Sequence, residues 1–313
     1  MKHASPVMLA VLIAAGAALL LTTPVDYSWT VYLATHKVES FAEYMGQSIF
    51  EGELPGGGDP VICYLIAVVG FYYATLRAKS GSRLYLLRPA AGFLVVASLT
   101  SAIFTVHSLK WIVGRARPGE VFSGHLPFSP WFALGPQLMS QGIFGGSFPS
   151  GHTALAFTPF ALVYVLARRW SAGRNALLPV TVGALVMLYT AAMGTARCMT
   201  SSHWVSDVAG SVALSMAAMY LIYFKLLQVP AQEAAAGRGE SERPLPIGWE
   251  LRLAFSMSLF CAGAVAALCG LRIIWRQGLD GWSLMVPVGA VLLWIGVRQI
   301  ICRCRQVQRL VTP

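Results

Sequence analysis

The stretch VMLAVLIAAGAALLL, residues 7–21, runs fifteen positions without a charged or hydrogen-bonding side chain. A helix or strand at a water interface needs one polar face, and this run has none. It is built like a helix inside a bilayer, where about 17–25 apolar residues cross the hydrocarbon. Working outward, apolar windows recur at 6–23, 61–76, 89–109, 154–167, 176–194, 208–224, 253–271 and 282–301. Eight spans are therefore expected, the shorter windows being marginal for crossing.

Composition agrees with that reading. Of 313 residues, 56% are hydrophobic and 12% charged, with a mean hydropathy of +0.63. A water-soluble domain carries about 25% charged residues, so this chain cannot cover itself with polar groups. The basic start MKH resembles a secretory signal, but TTPVDYSW lacks a small-x-small cleavage site. The first helix is expected to stay in place.

Charge then orients the spans. With the N-terminus in the cytoplasm and eight crossings, 16 of the 23 Lys and Arg residues fall inside. The exceptions are Lys37, Lys110, Arg115, Arg117, Arg197, Arg272 and Arg276. That asymmetry follows the positive-inside rule. The net charge of +10 is thereby assigned to membrane orientation, and no nucleic-acid partner is expected. Six cysteines, mostly in or beside apolar windows, suggest buried thiols rather than disulfides.

Between the windows, segment 228–250 (QVPAQEAAAGRGESERPLPIGWE) reads as a flexible linker. The outer segments 25–60 and 114–149 read as long loops, the second broken by five prolines.

Three polar clusters interrupt the apolar pattern on one predicted membrane face. In KWIVGRARP, Lys110 and Arg117 are seven apart, two helical turns if the third span continues that far. Two cations so placed suit a phosphate. In FPSGHT, Ser150 is expected to cap a helix. The free amides of its first turn suit an anion, Gly151 lets the backbone approach, and His152 sits at the mouth. In RCMTSSHWVSD, His203 and Asp207 are four apart, with Arg197 upstream. A carboxylate one turn from an imidazole fixes its tautomer and frees the other nitrogen to act as base or nucleophile. Cations, helix amides, two histidines and one orienting carboxylate together form a phosphoryl-transfer set.

The spacing resembles the type 2 phosphatidic acid phosphatase (PAP2) superfamily of membrane phosphatases. Its pattern K-x6-RP, PSGH, R-x5-H-x3-D is met by Lys110/Arg117-Pro118, Pro149-Ser150-Gly151-His152, and Arg197/His203/Asp207. The resemblance implies an all-α integral membrane protein with a six-helix core over residues 1–228. Residues 229–250 would be a cytoplasmic linker, and residues 251–313 two additional helices of unassigned role plus a basic tail. It implies that His203 is the nucleophile through a phosphohistidine, Asp207 orients it, and His152 protonates the leaving group. Lys110, Arg117, Ser150, Gly151 and Arg197 would bind the phosphoryl group. No metal or cofactor is implied, and no metal-ligand spacing is visible.

The implied activity is hydrolysis of a membrane lipid phosphate monoester or pyrophosphate at the periplasmic face of a bacterial inner membrane. Candidates are lipid A phosphate, phosphatidylglycerophosphate, phosphatidic acid and undecaprenyl pyrophosphate. The alternatives are a phosphotransferase with a lipid acceptor, or a catalytically silent scaffold or transporter. Arg115 is read as a bystander, with support of the phosphate site as the alternative, His107 as a packed helix histidine, and Glu39, Glu43, Glu51, Glu53 and Asp59 as solvated loop charge. Trp29 and Trp131 are read as interfacial aromatics. His125, in a second Ser-Gly-His, has no helix start after it and is read as coincidental. Oligomeric state is not legible.

Overall fold

The computed structural model describes residues 4–79, 81–141, 146–170, 177–237, 245–246 and 248–311. Among these residues the regular elements are all helical. In chain order they are α1 (Ala4–Thr22), α2 (Asp26–Thr35), α3 (Glu39–Gly46), α4 (Asp59–Arg77), α5 (Arg88–Leu99) and α6 (Val106–Val113). Then come α7 (Pro118–Phe122), α8 (Gly151–Phe157), α9 (Ala161–Trp170), α10 (Leu177–Met199) and α11 (Val205–Leu221). The last are α12 (Val229–Gly237), α13 (Trp249–Gln277) and α14 (Met285–Val311).

Among the described residues, six helices are long and apolar enough to cross a membrane: Pro6–Thr35, Asp59–Arg77, Leu177–Met199, Val205–Ala236, Trp249–Gln277 and Gly281–Val311. The chain is thus a multi-pass membrane protein, with six rather than eight helices meeting the criteria. The windows at 89–109 and 154–167 fall on interrupted helices. α5 passes into α6 through a π-helical stretch, Thr100–Thr105. α8 passes into α9 through a 3-10 turn around Pro159, whose missing N–H breaks the α-helical ladder.

Two expected loops contain more structure than composition suggested. Segment 25–60 holds α2 and α3, and Asp26 and Thr30 of α2 are buried. Asp59, read as solvated, accepts from Ser48 Oγ (2.7 Å) and from the amides of Ile49 and Gly56 (2.9 Å each), closing the loop before α4. The start of the expected linker is helical too, as α12, which packs on α5 and α14. Residues 238–244 and 247 lie outside the described residues.

The centre is a cluster of Phe93, Phe157, Tyr164, Met216, Tyr223, Trp249 and Leu253 from α5, α8, α9, α11, the turn after α11, and α13. Lipid tails are as apolar as leucine, so this packing gains from close contact rather than from escaping water. α13 and α14 show the same logic. Gly263 and Gly270 on α13, and Gly289 and Gly296 on α14, are each seven apart. A Cβ on Gly263 would stand 2.4 Å from Leu293 N, and one on Gly289 would meet the Ala267 amide. The two backbones touch because these side chains are absent.

Candidate active site

The three clusters meet at one end of the bundle. α6 stops at Val113 because Gly114 turns left-handed (φ +58°). Arg117 is therefore not on the Lys110 helix, as two-turn spacing had suggested. It sits in extended backbone before Pro118, which disfavours helical geometry there. Its amide donates to Glu120 Oε2 (2.7 Å), and Gln137 Nε2 donates to Glu120 Oε1 (2.7 Å).

Ser150 is the N-cap of α8, as expected. It accepts from the Thr153 amide (3.4 Å) and the Thr153 hydroxyl (2.9 Å). Its carbonyl accepts from Ser211 Oγ (2.8 Å), and the Ser211 hydroxyl also lies 2.7 Å from Asp207 O. The second and third clusters are thereby tied through α11. Gly151 is not sterically forced: a Cβ there would lie 3.8 Å from Lys110 Nζ, an ordinary contact. That distance does place the Lys110 ammonium at the mouth of α8.

His203 precedes α11 rather than lying on it, in the turn between Met199 and Val205. Its amide and that of Ser202 both donate to Arg197 O (3.2 and 3.1 Å), so the turn is folded back on Arg197. Its Nδ1 is 3.5 Å from Asp207 Oδ2, an ion-pair distance rather than a formed hydrogen bond. Both groups are buried. Nε2 is the nitrogen that does not face Asp207.

Electrostatics show the same convergence. Burial pushes His152 down to about 3, and Arg197, His203, Lys110 and Arg117 push the same way. Burial lowers His203 to about 4, opposed by Asp207. Lys110 falls to about 8 through burial and the adjacent Arg117. Burial and neighbouring positive charge together favour the neutral form of both imidazoles.

Residues 91–228 match the family model described as the PAP2 superfamily. The match covers all three motif clusters but less than half of the chain. Members of that superfamily are phosphatases, and the match supports phosphoester chemistry here. No curated protein and no solved structure matches the chain. Every residue singled out for the site lies within the PAP2 segment.

Two residues that the motif reading set aside or passed over carry the site from beneath. Arg115, read as a bystander, is fully buried and does not face the phosphate cluster. Its Nη1 donates to Asp207 Oδ1 (2.6 Å) and Ser206 Oγ (2.8 Å), and its Nη2 to Asp26 Oδ2 (2.6 Å). Asp26 also accepts from the Ser206 amide (2.8 Å) and hydroxyl (2.6 Å). The Arg115 guanidinium lies 5.2 Å from the ring of buried Trp204, whose indole N–H donates to Ala116 O (2.8 Å). Asp26 lies outside the PAP2 segment, and no motif or periodicity marked it in the sequence.

The remaining readings divide. His125 is exposed and pairs with Ser123 Oγ (2.7 Å). His107, expected to be packed, is exposed and tilted against Trp111. Trp29 is exposed, whereas Trp131 donates to Thr23 Oγ1 (2.9 Å) and stacks on Phe148. Among the described residues no His/Cys/Asp/Glu group has metal-holding geometry.

Proposed function

We propose that the protein is a membrane lipid phosphatase acting on a phosphate monoester or pyrophosphate through a phosphohistidine. The carrying observation is the meeting of His203 and His152 with Lys110, Arg117 and Arg197 at the mouth of α8.

In the proposed reaction His203 Nε2 attacks phosphorus and the P–O bond to the leaving group breaks. His152 gives its proton to that departing oxygen. A dianion bound beside it raises its pKa and favours the protonated form. Asp207 supports the positive charge arriving on the His203 ring. Water then attacks phosphorus, giving its proton to His152, and the P–N bond breaks to release phosphate. Lys110, Arg117, Arg197, Ser150 and the amides at Gly151 hold the equatorial oxygens throughout.

An apolar groove of about 380 Å³ supports a lipid substrate. It is lined by Ala14 and Ala18 of α1, Phe157 of α8, Ala191 of α10, and Val208 and Val212 of α11. The helices that present His152, Arg197 and Asp207 thus also wall a channel suited to an acyl or prenyl chain. With the two interrupted helices around residues 89–109 and 154–167 also counted as crossings, the charge asymmetry of the loops favours an N-terminus in the cytoplasm and a site facing the periplasm.

The test is phosphate release in detergent micelles from phosphatidic acid, phosphatidylglycerophosphate, undecaprenyl pyrophosphate and lipid A phosphates. Wild type should release phosphate from at least one, and His203→Ala should lose activity by at least about a thousandfold. Full activity in His203→Ala would remove the nucleophile assignment. Turnover only with an added lipid acceptor would make the enzyme a phosphotransferase.

A further inference from the structure

The hairpin of α13 and α14 lies wholly beyond the PAP2 segment, yet α13 packs on α5, on the π-helical stretch and on α6. It is fastened at both ends by buried charged residues. At one end Glu250 accepts from Tyr72 Oη (2.6 Å) on α4. At the other, Arg272 donates from Nη1 to Ile112 O (2.9 Å) and from Nη2 to Gly135 O. The 22 positions that separate them span about 33 Å of helix, close to the roughly 30 Å hydrocarbon thickness. Each charge therefore falls where the apolar layer ends.

Arg272 lands on a sensitive point. Ile112 is in the last turn of α6, the helix that carries Lys110, and Gly135 belongs to the loop closing over it. The end carbonyls of a helix have no partner within the helix. Here Ile112 O takes Arg272, Val113 O takes the Gly135 amide (2.8 Å), and Gly114 O takes the Gln137 amide (3.0 Å). The carbonyl of the next residue, Arg115, accepts from the Ser147 amide (2.8 Å), two residues before the PSGH turn. A cation at a helix C-terminus also complements the helix dipole.

We infer that Arg272 is a positioning residue of the phosphate site: it caps α6 from the C-terminal hairpin and thereby fixes Lys110 and the Gly114–Pro118 turn. The hairpin is then part of the catalytic unit rather than an appended anchor. The inference rests on the proposed phosphatase reading, since it takes Lys110 and Arg117 as phosphate ligands. A displacement of about 1 Å in such groups is enough to cost about a hundredfold in rate.

Binding of orthovanadate and of inorganic phosphate to the full-length protein in detergent, measured by calorimetry beside thermal melting, tests it. Arg272→Ala should weaken both anions by about tenfold or more, a charge-assisted positioning effect. Arg272→Lys, which keeps the charge but cannot fork to two carbonyls, should fall between. Tyr72→Phe loosens the other end of the same helix and should lower the melting temperature with anion affinity unchanged. Equal effects of Arg272→Ala and Tyr72→Phe on affinity, or wild-type affinity in Arg272→Ala, would overturn the inference. Should Arg272→Ala not fold, wild-type affinity in Arg272→Lys overturns it instead. Lys110→Ala separates the two readings: wild-type anion binding there overturns the phosphate site itself.

Discussion

Arg115 holds Asp207 more closely than His203 does. Its Nη1 stands 2.6 Å from Asp207 Oδ1, whereas His203 Nδ1 stands 3.5 Å from Asp207 Oδ2. The carboxylate that would orient the nucleophile is thus itself fixed, by a buried guanidinium whose other nitrogen meets Asp26. Arg115→Met leaves two buried carboxylates without their cation. Breaking such a pair costs about 3–5 kcal/mol, so a large fall in melting temperature in detergent is expected. A melting curve superimposable on wild type would show that the cluster carries no such weight.

Asp207→Asn keeps the shape and removes the charge. The catalytic rate should fall by about a thousandfold or more, the order found when an orienting carboxylate beside a catalytic imidazole is neutralised. Anion binding should hold within about threefold, because Asp207 takes no part in holding the phosphate. Steady-state kinetics set beside vanadate binding separate the two. A matching collapse of affinity would argue that Asp207 shapes the pocket rather than the nucleophile.

As the proposed phosphate ligand, Lys110 would act in its protonated form, and burial beside Arg117 brings it down to about 8. Protonation is complete well below that pH and is lost as pH rises through it. An alkaline limb in kcat/KM near pH 8 is expected, displaced upward in Lys110→Arg, whose guanidinium does not titrate there. In kcat the limb should lie higher, since a bound phosphate stabilises the ammonium. An unmoved limb in Lys110→Arg would assign it to another group.

The hairpin gives a steric prediction. Gly289→Ala places a methyl against the Ala267 amide, where nothing can yield but backbone. Overpacking of this kind costs about 1–3 kcal/mol. Gly70→Ala, with open space around the added carbon, should be neutral or slightly stabilising. Thermal melting of the two variants side by side decides it, and equal curves would mean the helices can part at no cost.

The paired Ser-Gly-His tripeptides offer a direct contrast. His125→Ala removes an exposed side chain and should leave turnover within about twofold, as surface changes usually do. His152→Ala should lose about a hundred- to ten-thousandfold, the range for a missing proton donor. Phosphate release from the same preparations reads both, and comparable losses would move His125 into the site.

The chain by itself determined the lipid-embedded helices, because unbroken apolar runs have one stable home. It also marked a candidate phosphoryl-handling set, because Lys110, Arg117, His152, Arg197, His203 and Asp207 fall in three short motifs whose spacing is local. Even there, local geometry departed from helical periodicity: Arg117 and His203 lie off the helices assigned to them, since Gly114 and Pro118, and the turn before α11, end regular structure first. Only the tertiary structure decided which charges support that set. Asp26 meets Arg115 across 89 positions, and Arg272 reaches Gly135 across 137. Such pairs leave no periodic trace in sequence. Each is a single buried charge whose partner is chosen by where helices pack, and packing is a property of the whole bundle.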